Sequence, residues 1–381
     1  MLVGENNILP NSEKINFGDM ILSILVALII GMLLSHNLTF SLTESAISNG
    51  SIMQDSRLSG ITTDSLKIIS DHVEDPIIAI GSSMTLKALD GKCVTENLAS
   101  QSVMHNLAHV NSMPWNDMIH IPRIVELSPT LVLIEIGPNI MTNLTSEKAL
   151  EYSELRYKTD TAKQENLDFG GWYDLLDPRL KASVATNDFT RMEFRQEYVV
   201  DSIEEKLNLL IYNESKARKE WTYGWVPQPG NSKDWLNYLQ TPPFPSDRNG
   251  FDGMETDERE EYNLTKMKLG ANYNPQITSY GQRILEYEIN TLVNNGIEVL
   301  LVVLPQHPDS LTFVPNGKWD ELNQSINNFA ESESVFVFDQ LWESGWSDQH
   351  FFDRNHLDDE GRFEFCNRLA PVINDVISGR D

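Results

Sequence analysis

Three short segments of the chain carry residues that together could perform acyl-transfer chemistry. Ser82 and Ser83 follow a short apolar run, Asn139 follows a second one, and Asp353 precedes His356 by three residues. A carboxylate at this spacing can accept a hydrogen bond from Nδ1–H of the imidazole, which leaves Nε2 free to act as a general base toward a serine. An asparagine amide can donate to a developing oxyanion. The set therefore predicts a serine nucleophile with a histidine base.

Each segment also has a plainer interpretation when it is taken alone. A serine after Gly81 at the end of a strand is commonly a helix cap. Gly-Pro-Asn is a common turn, and an Asp and a His three residues apart also pair in loops that have no catalytic role. The three segments together favour the catalytic interpretation over these alternatives.

The elements around these segments predict an α/β fold. Short apolar runs indicate buried strands at Pro76–Gly81, Leu131–Gly137, Gly296–Pro305 and Ser334–Asp339. Helical patterns alternate with them at about 117–127, at 280–295 and from about 358 onward. This alternation is typical of a doubly wound parallel sheet, in which ligands bind beyond the carboxyl ends of the strands.

The same segments resemble the SGNH/GDSL hydrolase superfamily. IIAIGSSMT is similar to its first block, LIEIGPN to its third block, and FFDRNHLDDEGRFEF to its fifth block, Asp-x-x-His. The resemblance covers about residues 76–140 and 280–378. It implies an SGNH hydrolase-like, flavodoxin-like three-layer sandwich with Ser83, Asp353 and His356 as the catalytic triad.

The resemblance also implies an oxyanion hole. Its donors would be the N–H of Ser83, the N–H of Ser102 and the side chain of Asn139. Ser102 comes from a segment similar to the second block, and it stands where the family has Gly. Ser82 and Ile140 stand where the family usually has Asp. These departures concern the substrate and the level of activity more than the fold.

The implied function is that of an enzyme acting on ester bonds: a serine esterase or O-acyltransferase on acylated cell-envelope or extracellular carbohydrate, working through an acyl-serine. Water as acceptor gives an esterase and a sugar hydroxyl gives a transferase; the sequence leaves both open. Similar membrane-attached members acetylate alginate or take part in D-alanylation of teichoic acids. No cofactor or metal site is predicted. A second hypothesis is a catalytically silent SGNH-like module that binds an envelope glycan or a membrane acyltransferase partner.

The N-terminal region predicts attachment to a membrane. After a tail of residues 1–19, the apolar run MILSILVALIIGMLL predicts a transmembrane signal anchor over residues 20–40, followed by a stalk over 41–75. A cleaved signal peptide is the alternative, but the tail holds one Lys and three acids, and no cleavage pattern follows. Lys14 before the run favours an extracytoplasmic position for the rest of the chain.

The SGNH-like domain is predicted over residues 76–378, with a large insertion at 141–279 that is part helical and part loop. The insertion holds four of the eight tryptophans, which either pack in a core or stack on sugar rings: Trp172, Trp221, Trp225 and Trp235.

The composition and the net charge limit the classes of partner that the chain could bind. The chain is 40% hydrophobic and 22% charged, as globular proteins are. A formal net charge of -27 without any basic run argues against nucleic acid as a partner. Cys93 and Cys366 lack metal-ligand spacing. Either they form a disulfide outside the cell or they are two buried thiols.

Overall fold

The computed structural model describes residues 17–33, 61–109, 112–137, 171–185, 232–241, 279–311, 318–353 and 355–379. At their centre lies a sheet of five parallel strands in the order β2-β1-β3-β4-β5. The strands are β1 Pro76–Ile80, β2 Val103–Asn106, β3 Leu131–Glu135, β4 Glu298–Val303 and β5 Val335–Asp339. The central strands are apolar and buried on both faces, as strands of parallel sheets are. The prediction of an α/β fold with a parallel sheet is confirmed.

Helices connect the strands. In chain order they are α1 Phe17–Leu33, α2 Ile61–His72, α3 Ser83–Ala88, α4 Gly91–Glu96, α5 Pro114–Asp117, α6 Ile121–Leu127, α7 Trp172–Leu175, α8 Pro178–Ala185, α9 Ser232–Gln240, α10 Ser279–Asn294, α11 Pro308–Leu311, α12 Lys318–Phe329 and α13 Asp359–Ser378. Single 3-10 turns lie at Met118–His120 and Asp348–His350. The helices predicted at about 117–127, at 280–295 and after 358 correspond to α6, α10 and α13.

Helices pack on both faces of the sheet. Because side chains alternate along a strand, β1 turns Ile78 and Ile80 toward one face and Ile77 and Ala79 toward the other. The first face is covered by apolar residues of α2, α6, α9, α10 and α12. The second face is covered by α3, α4 and α13. The two helices that flank the predicted triad, α3 and α13, therefore lie in the same layer.

Strand β2 is missing from the sequence-based prediction. Its polar residues His105 and Asn106 interrupt the apolar pattern, yet both are fully buried. Burial lowers the pKa of His105 to about 4, so this imidazole is neutral. The amide of Asn106 donates to three carbonyls of the α3 segment, those of Thr85, Leu86 and Leu89. These bonds satisfy a buried polar side chain, which is what allows it to stand in the strand.

Helix α2 lies in the segment that the sequence predicts as a stalk. Leu66 and Ile69 are buried in the core on the first face of the sheet. These two residues belong to a narrow apolar face within a stretch rich in Ser and Thr. The amino-acid composition of the stretch therefore gives only a weak helical signal. Helix α2 therefore packs against the sheet although it lies before residue 76, in the stalk segment for which the sequence allows one short helix.

Helix α1 covers most of the N-terminal apolar run. It has 17 residues and ends at Leu33. Among the residues that the structure describes, no helix is both long and apolar enough to cross a membrane. The predicted transmembrane helix over residues 20–40 is therefore not found, and residues 34–40 lie outside the described part.

The described parts of the predicted insertion are the helices α7, α8 and α9. Trp172 in α7 is fully buried and packs with Trp115 and Ile284, while Trp235 in α9 is buried in the core on the first face of the sheet. These two tryptophans pack against the domain, so neither has a face open to a sugar. Trp221 and Trp225 lie outside the described residues.

The two cysteines are joined. A disulfide links Cys93 in α4 to Cys366 in α13 across a sequence separation of 273 residues. The bond settles the question that the sequence left open, and it fastens two helices of the layer that carries α3.

Helix α10 carries a buried carboxyl group that is not part of the predicted triad. Glu288 in α10 is 1% exposed, and its Oε1 has no hydrogen-bond partner among the described residues. Burial raises the pKa of this carboxyl well above its usual range, and the negative charge of Asp117 raises it further. The unfolded chain loses this proton near the ordinary pKa of about 4.3, so stability falls as the pH rises above that value.

Replacing this group should therefore stabilise the fold in a pH-dependent way. We expect Glu288→Gln to raise the free energy of unfolding at pH 7 and to change it little at pH 4. Urea unfolding at both pH values measures the difference. Glu286→Gln, on the exposed side of the same helix, is the control and should show no such trend. A Glu288→Gln variant that is less stable than the wild type at pH 7 would contradict the expectation.

Candidate active site

The turn between β1 and α3 presents Ser83 beyond the carboxyl end of β1. Gly81 has a φ of +153°, and Ser82 is the N-cap of α3, with its Oγ accepting from the N–H of Met84 at 3.1 Å. The capping interpretation thus applies to Ser82 and not to its neighbour. The Ser83 side chain stays out of the cap and is only partly buried.

The loop before α13 is shaped by the carboxylate of Asp353. Its Oδ1 accepts from the backbone N–H groups of Asn355 and His356 at 2.9 Å each. The same carboxylate lies 2.9 and 3.0 Å from Nδ1 of His356. One side chain therefore closes the loop and orients the imidazole.

The imidazole bridges the two segments. Nε2 of His356 lies 2.8 Å from Oγ of Ser83, and its Nδ1 faces the carboxylate of Asp353. A proton on Nδ1 is the tautomer that this carboxylate favours, so Nε2 accepts from the serine hydroxyl. The structure brings the three predicted catalytic side chains within hydrogen-bond reach, although 270 or more residues separate the serine from the other two.

The electrostatics of Asp353 suit the role of an ionised orienting group. Burial alone would raise the pKa of this carboxyl. The hydrogen bond and the charge of His356, with the backbone N–H groups of Asn355 and His356, outweigh burial and lower the pKa to about 2. Asp353 therefore stays ionised at neutral pH.

Lys87 in α3 brings a positive charge to the same region. Its Nζ lies 3.5 Å from the ring centroid of Phe352, a cation–π contact between α3 and the loop that carries His356. Burial lowers the pKa of this ammonium to about 8, against the opposing attraction of Asp353 and nearby acids.

The predicted oxyanion donors lie in three different parts of the chain. The N–H of Ser83 belongs to the first turn of α3, whose N–H groups have no partner within the helix. Asn139 lies outside the described residues, so its prediction stays a prediction.

The prediction for Ser102 is wrong. Ser102 precedes β2, and Val103 pairs with Pro76 at the start of β1, so Ser102 lies at the opposite edge of the sheet from Ser83. Its N–H donates to Oγ of Ser100 at 3.3 Å. The error follows from overlooking β2, since a donor near the site must come after this strand and not before it.

One residue at the site was not predicted at all. Glu135, the last residue of β3, is 4% exposed, and it accepts hydrogen bonds from Ser82 and Thr85 on either side of Ser83. Burial raises the pKa of its carboxyl, while the bonds from Thr85 and Ser82 oppose that rise and the charge of Asp117 adds to it. The available signal was a charged residue inside the apolar run LVLIEIG.

No protein-family model matches this chain, and no curated protein sequence is significantly similar to it. The resemblance to SGNH/GDSL hydrolases therefore rests on the three motifs and remains a prediction. Among the described residues, no group of three or more His, Cys, Asp or Glu side chains could hold a metal ion.

Proposed function

We propose that this chain is an SGNH-type serine esterase or O-acyltransferase with Ser83 as its nucleophile. The observation that carries the proposal is the 2.8 Å contact between Ser83 Oγ and His356 Nε2, with Asp353 on the other ring nitrogen. Nucleophile, base and orienting group within mutual hydrogen-bond reach are the geometric signature of an activated serine.

The architecture supports the same proposal. The strand order β2-β1-β3-β4-β5 is that of flavodoxin-like sheets, and ligands of such sheets bind outside the carboxyl ends of the strands near β1 and β3. Ser83 follows β1 at that edge. An SGNH hydrolase-like three-layer fold is the family assignment that agrees with the motifs and this topology together.

In the first half of the proposed reaction, Ser83 Oγ attacks the acyl carbonyl while His356 takes its proton. Asp353 stabilises the imidazolium that forms. The N–H of Ser83 donates to the oxyanion, and one such donor is worth about 3–4 kcal/mol of barrier. The tetrahedral species then collapses: the ester C–O bond breaks, His356 gives its proton to the leaving alcohol, and the acyl group stays on Ser83.

In the second half, an acceptor hydroxyl attacks the acyl-serine. His356 removes the proton of the acceptor and returns a proton to Ser83 as the acyl C–O bond to the enzyme breaks. Water releases a carboxylic acid, and a sugar hydroxyl gives a new ester. Acylated cell-envelope or extracellular carbohydrate is the proposed substrate class, on the strength of the family resemblance.

We further propose that the domain works on the extracytoplasmic side. The Cys93–Cys366 disulfide supports this location, because disulfides persist in oxidising compartments and are rare in reducing ones.

Labelling with a fluorophosphonate probe tests the proposed function. In this reaction Ser83 Oγ bonds to phosphorus, fluoride leaves, and His356 takes the serine proton. The full-length wild type should be labelled and should hydrolyse a small aryl acetate, and both signals should vanish in Ser83→Ala. Ser378→Ala, at the exposed end of α13, is the matched control and should behave like the wild type. A wild type that is folded but not labelled would contradict the proposal and favour the silent binding module.

A further inference from the structure

Glu135 stands in a place that disfavours a carboxylate. It ends β3, a strand whose other residues are apolar, and it is buried beneath the turn that carries the nucleophile. Removing a carboxylate from water costs several kcal/mol unless it is hydrogen-bonded. A carboxyl group at this position therefore depends on the donors around it, and those donors indicate its role.

The donors all belong to the turn and to the first turn of α3. Oε2 of Glu135 accepts from the N–H of Ser82 at 2.6 Å and from Oγ1 of Thr85 at 2.7 Å. Oε1 accepts from Oγ of Ser82 at 2.9 Å. Ser82 Oγ in turn accepts from the N–H of Met84. The bonded residues lie one position before Ser83 and two positions after it, so the carboxylate holds the chain on both sides of the nucleophile.

Gly81 shows how closely the carboxylate packs under this turn. A Cβ added at Gly81 would lie 2.6 Å from Oε2 of Glu135 and 2.7 Å from its Cβ. The glycine also has a φ of +153°, which L side chains rarely adopt. Glycine at position 81 thus leaves room for the carboxylate of Glu135, which comes from the neighbouring strand β3.

We propose that Glu135 is a positioning residue for the nucleophile, holding the Ser82–Ser83 turn through three hydrogen bonds so that Ser83 Oγ meets Nε2 of His356. The inference rests on the proposed function, since it assigns a part in that reaction. None of the hydrogen bonds described for Glu135 involves the side chain of Ser83 or His356. Glu135 therefore acts through the turn and not on the reacting atoms.

Three variants separate positioning from a general contribution to stability. Glu135→Leu removes every bond to the turn. Glu135→Gln keeps the shape: its amide oxygen can accept from Ser82 N–H and Thr85 Oγ1, and its amide nitrogen can donate to Ser82 Oγ. Thr85→Val removes one bond without changing size, and it keeps the test valid if Glu135→Leu does not fold. Glu288→Gln, which replaces another buried glutamate of the described residues, is the matched control.

The readouts are kcat and KM for an aryl acetate, the rate of fluorophosphonate labelling, and the melting temperature by circular dichroism. We expect kcat of Glu135→Leu to fall about 10²-fold with KM unchanged, because small displacements of a reacting group cost that much. Thr85→Val should show a smaller loss in kcat, again without a change in KM. Glu135→Gln should keep most of the wild-type kcat, and Glu288→Gln should keep all of it.

The outcomes distinguish this inference from the proposed function. A labelled wild type with folded Glu135→Leu and Thr85→Val variants at wild-type kcat would overturn the positioning role alone. So would a Glu135→Gln variant that is as impaired as Glu135→Leu, since the hydrogen bonds would then not be what matters. A folded wild type that is never labelled would overturn both, because there would be no reaction for Glu135 to serve.

Discussion

Replacing His356 with alanine is expected to lower kcat for an aryl acetate by about 10⁴- to 10⁶-fold, without unfolding the chain. The imidazole is the only described group that links the hydroxyl of Ser83 to the carboxylate of Asp353, with contacts of 2.8 and 2.9 Å. Without it, Ser83 remains a neutral hydroxyl and the attack loses its base. Steady-state kinetics, with circular dichroism to verify folding, measure the effect.

The matched control for this loss is His72→Ala. His72 is exposed at the end of α2, next to the amino end of β1, on the side of the sheet away from Ser83. It should keep wild-type kcat. Because serine and base act as a unit, the double variant Ser83→Ala/His356→Ala should be no slower than either single variant. Losses that multiply in the double variant would show that the two residues do not share one step.

The catalytic segments could be predicted because strong local signals flank them. The apolar run of β1 ends at Gly81, and the cap of α13 at Asp358 follows His356 by two residues. The contacts of Gly361 and Arg362 give a physical reason for the motif that follows His356. Gly361 lies against the backbone of His350, and the guanidinium of Arg362 donates to the carbonyl of Leu89 just after α3. The Gly361 contact packs the start of α13 against its own preceding segment, and the Arg362 bond docks the histidine segment against the serine segment.

The prediction that Ser102 is an oxyanion donor failed because the local signal for the strand after it was weak. The strand β2 has four residues and carries His105 and Asn106, so no apolar run marks it. The burial of Asn106 depends on carbonyls 17 to 21 residues away in the chain. Because β2 was not recognised, the segment before this strand was mistaken for the segment after it. Ser102 was therefore expected at the carboxyl ends of the strands, whereas it lies at the amino end of β2.

Glu135 was overlooked for a related reason. Its three donors lie 50 to 53 residues earlier, in a turn that meets β3 only because β1 and β3 are neighbours in the sheet. A pattern of residue types identifies the strand but does not reveal what its one charged side chain contacts. Pairings that depend on strand order become visible only in the folded chain, and the disulfide is another of them.

Removing the Cys93–Cys366 disulfide is expected to lower the free energy of unfolding by about 2–5 kcal/mol. The bond spans 273 residues of sequence, so it restricts the unfolded chain strongly. Urea unfolding of the wild type with and without a thiol reductant measures the loss. The Cys93→Ala/Cys366→Ala variant is the control, because the reductant should not change its unfolding midpoint. The expectation would be contradicted if the reductant left the unfolding midpoint of the wild type unchanged although a thiol assay showed that both cysteines were reduced.

Activity should respond much less than stability to the same change. Helix α13 keeps other attachments to the segment after α3: Arg362 donates to Leu89, and Asn374 bonds to both Asn97 and Ala99. In the reduced but folded protein these bonds still hold α13 in place. His356, just before α13, therefore still contacts Ser83 at the start of α3. We therefore expect fluorophosphonate labelling per folded molecule to stay near the wild-type rate, with the disulfide protecting the fold around the site and not shaping the site itself.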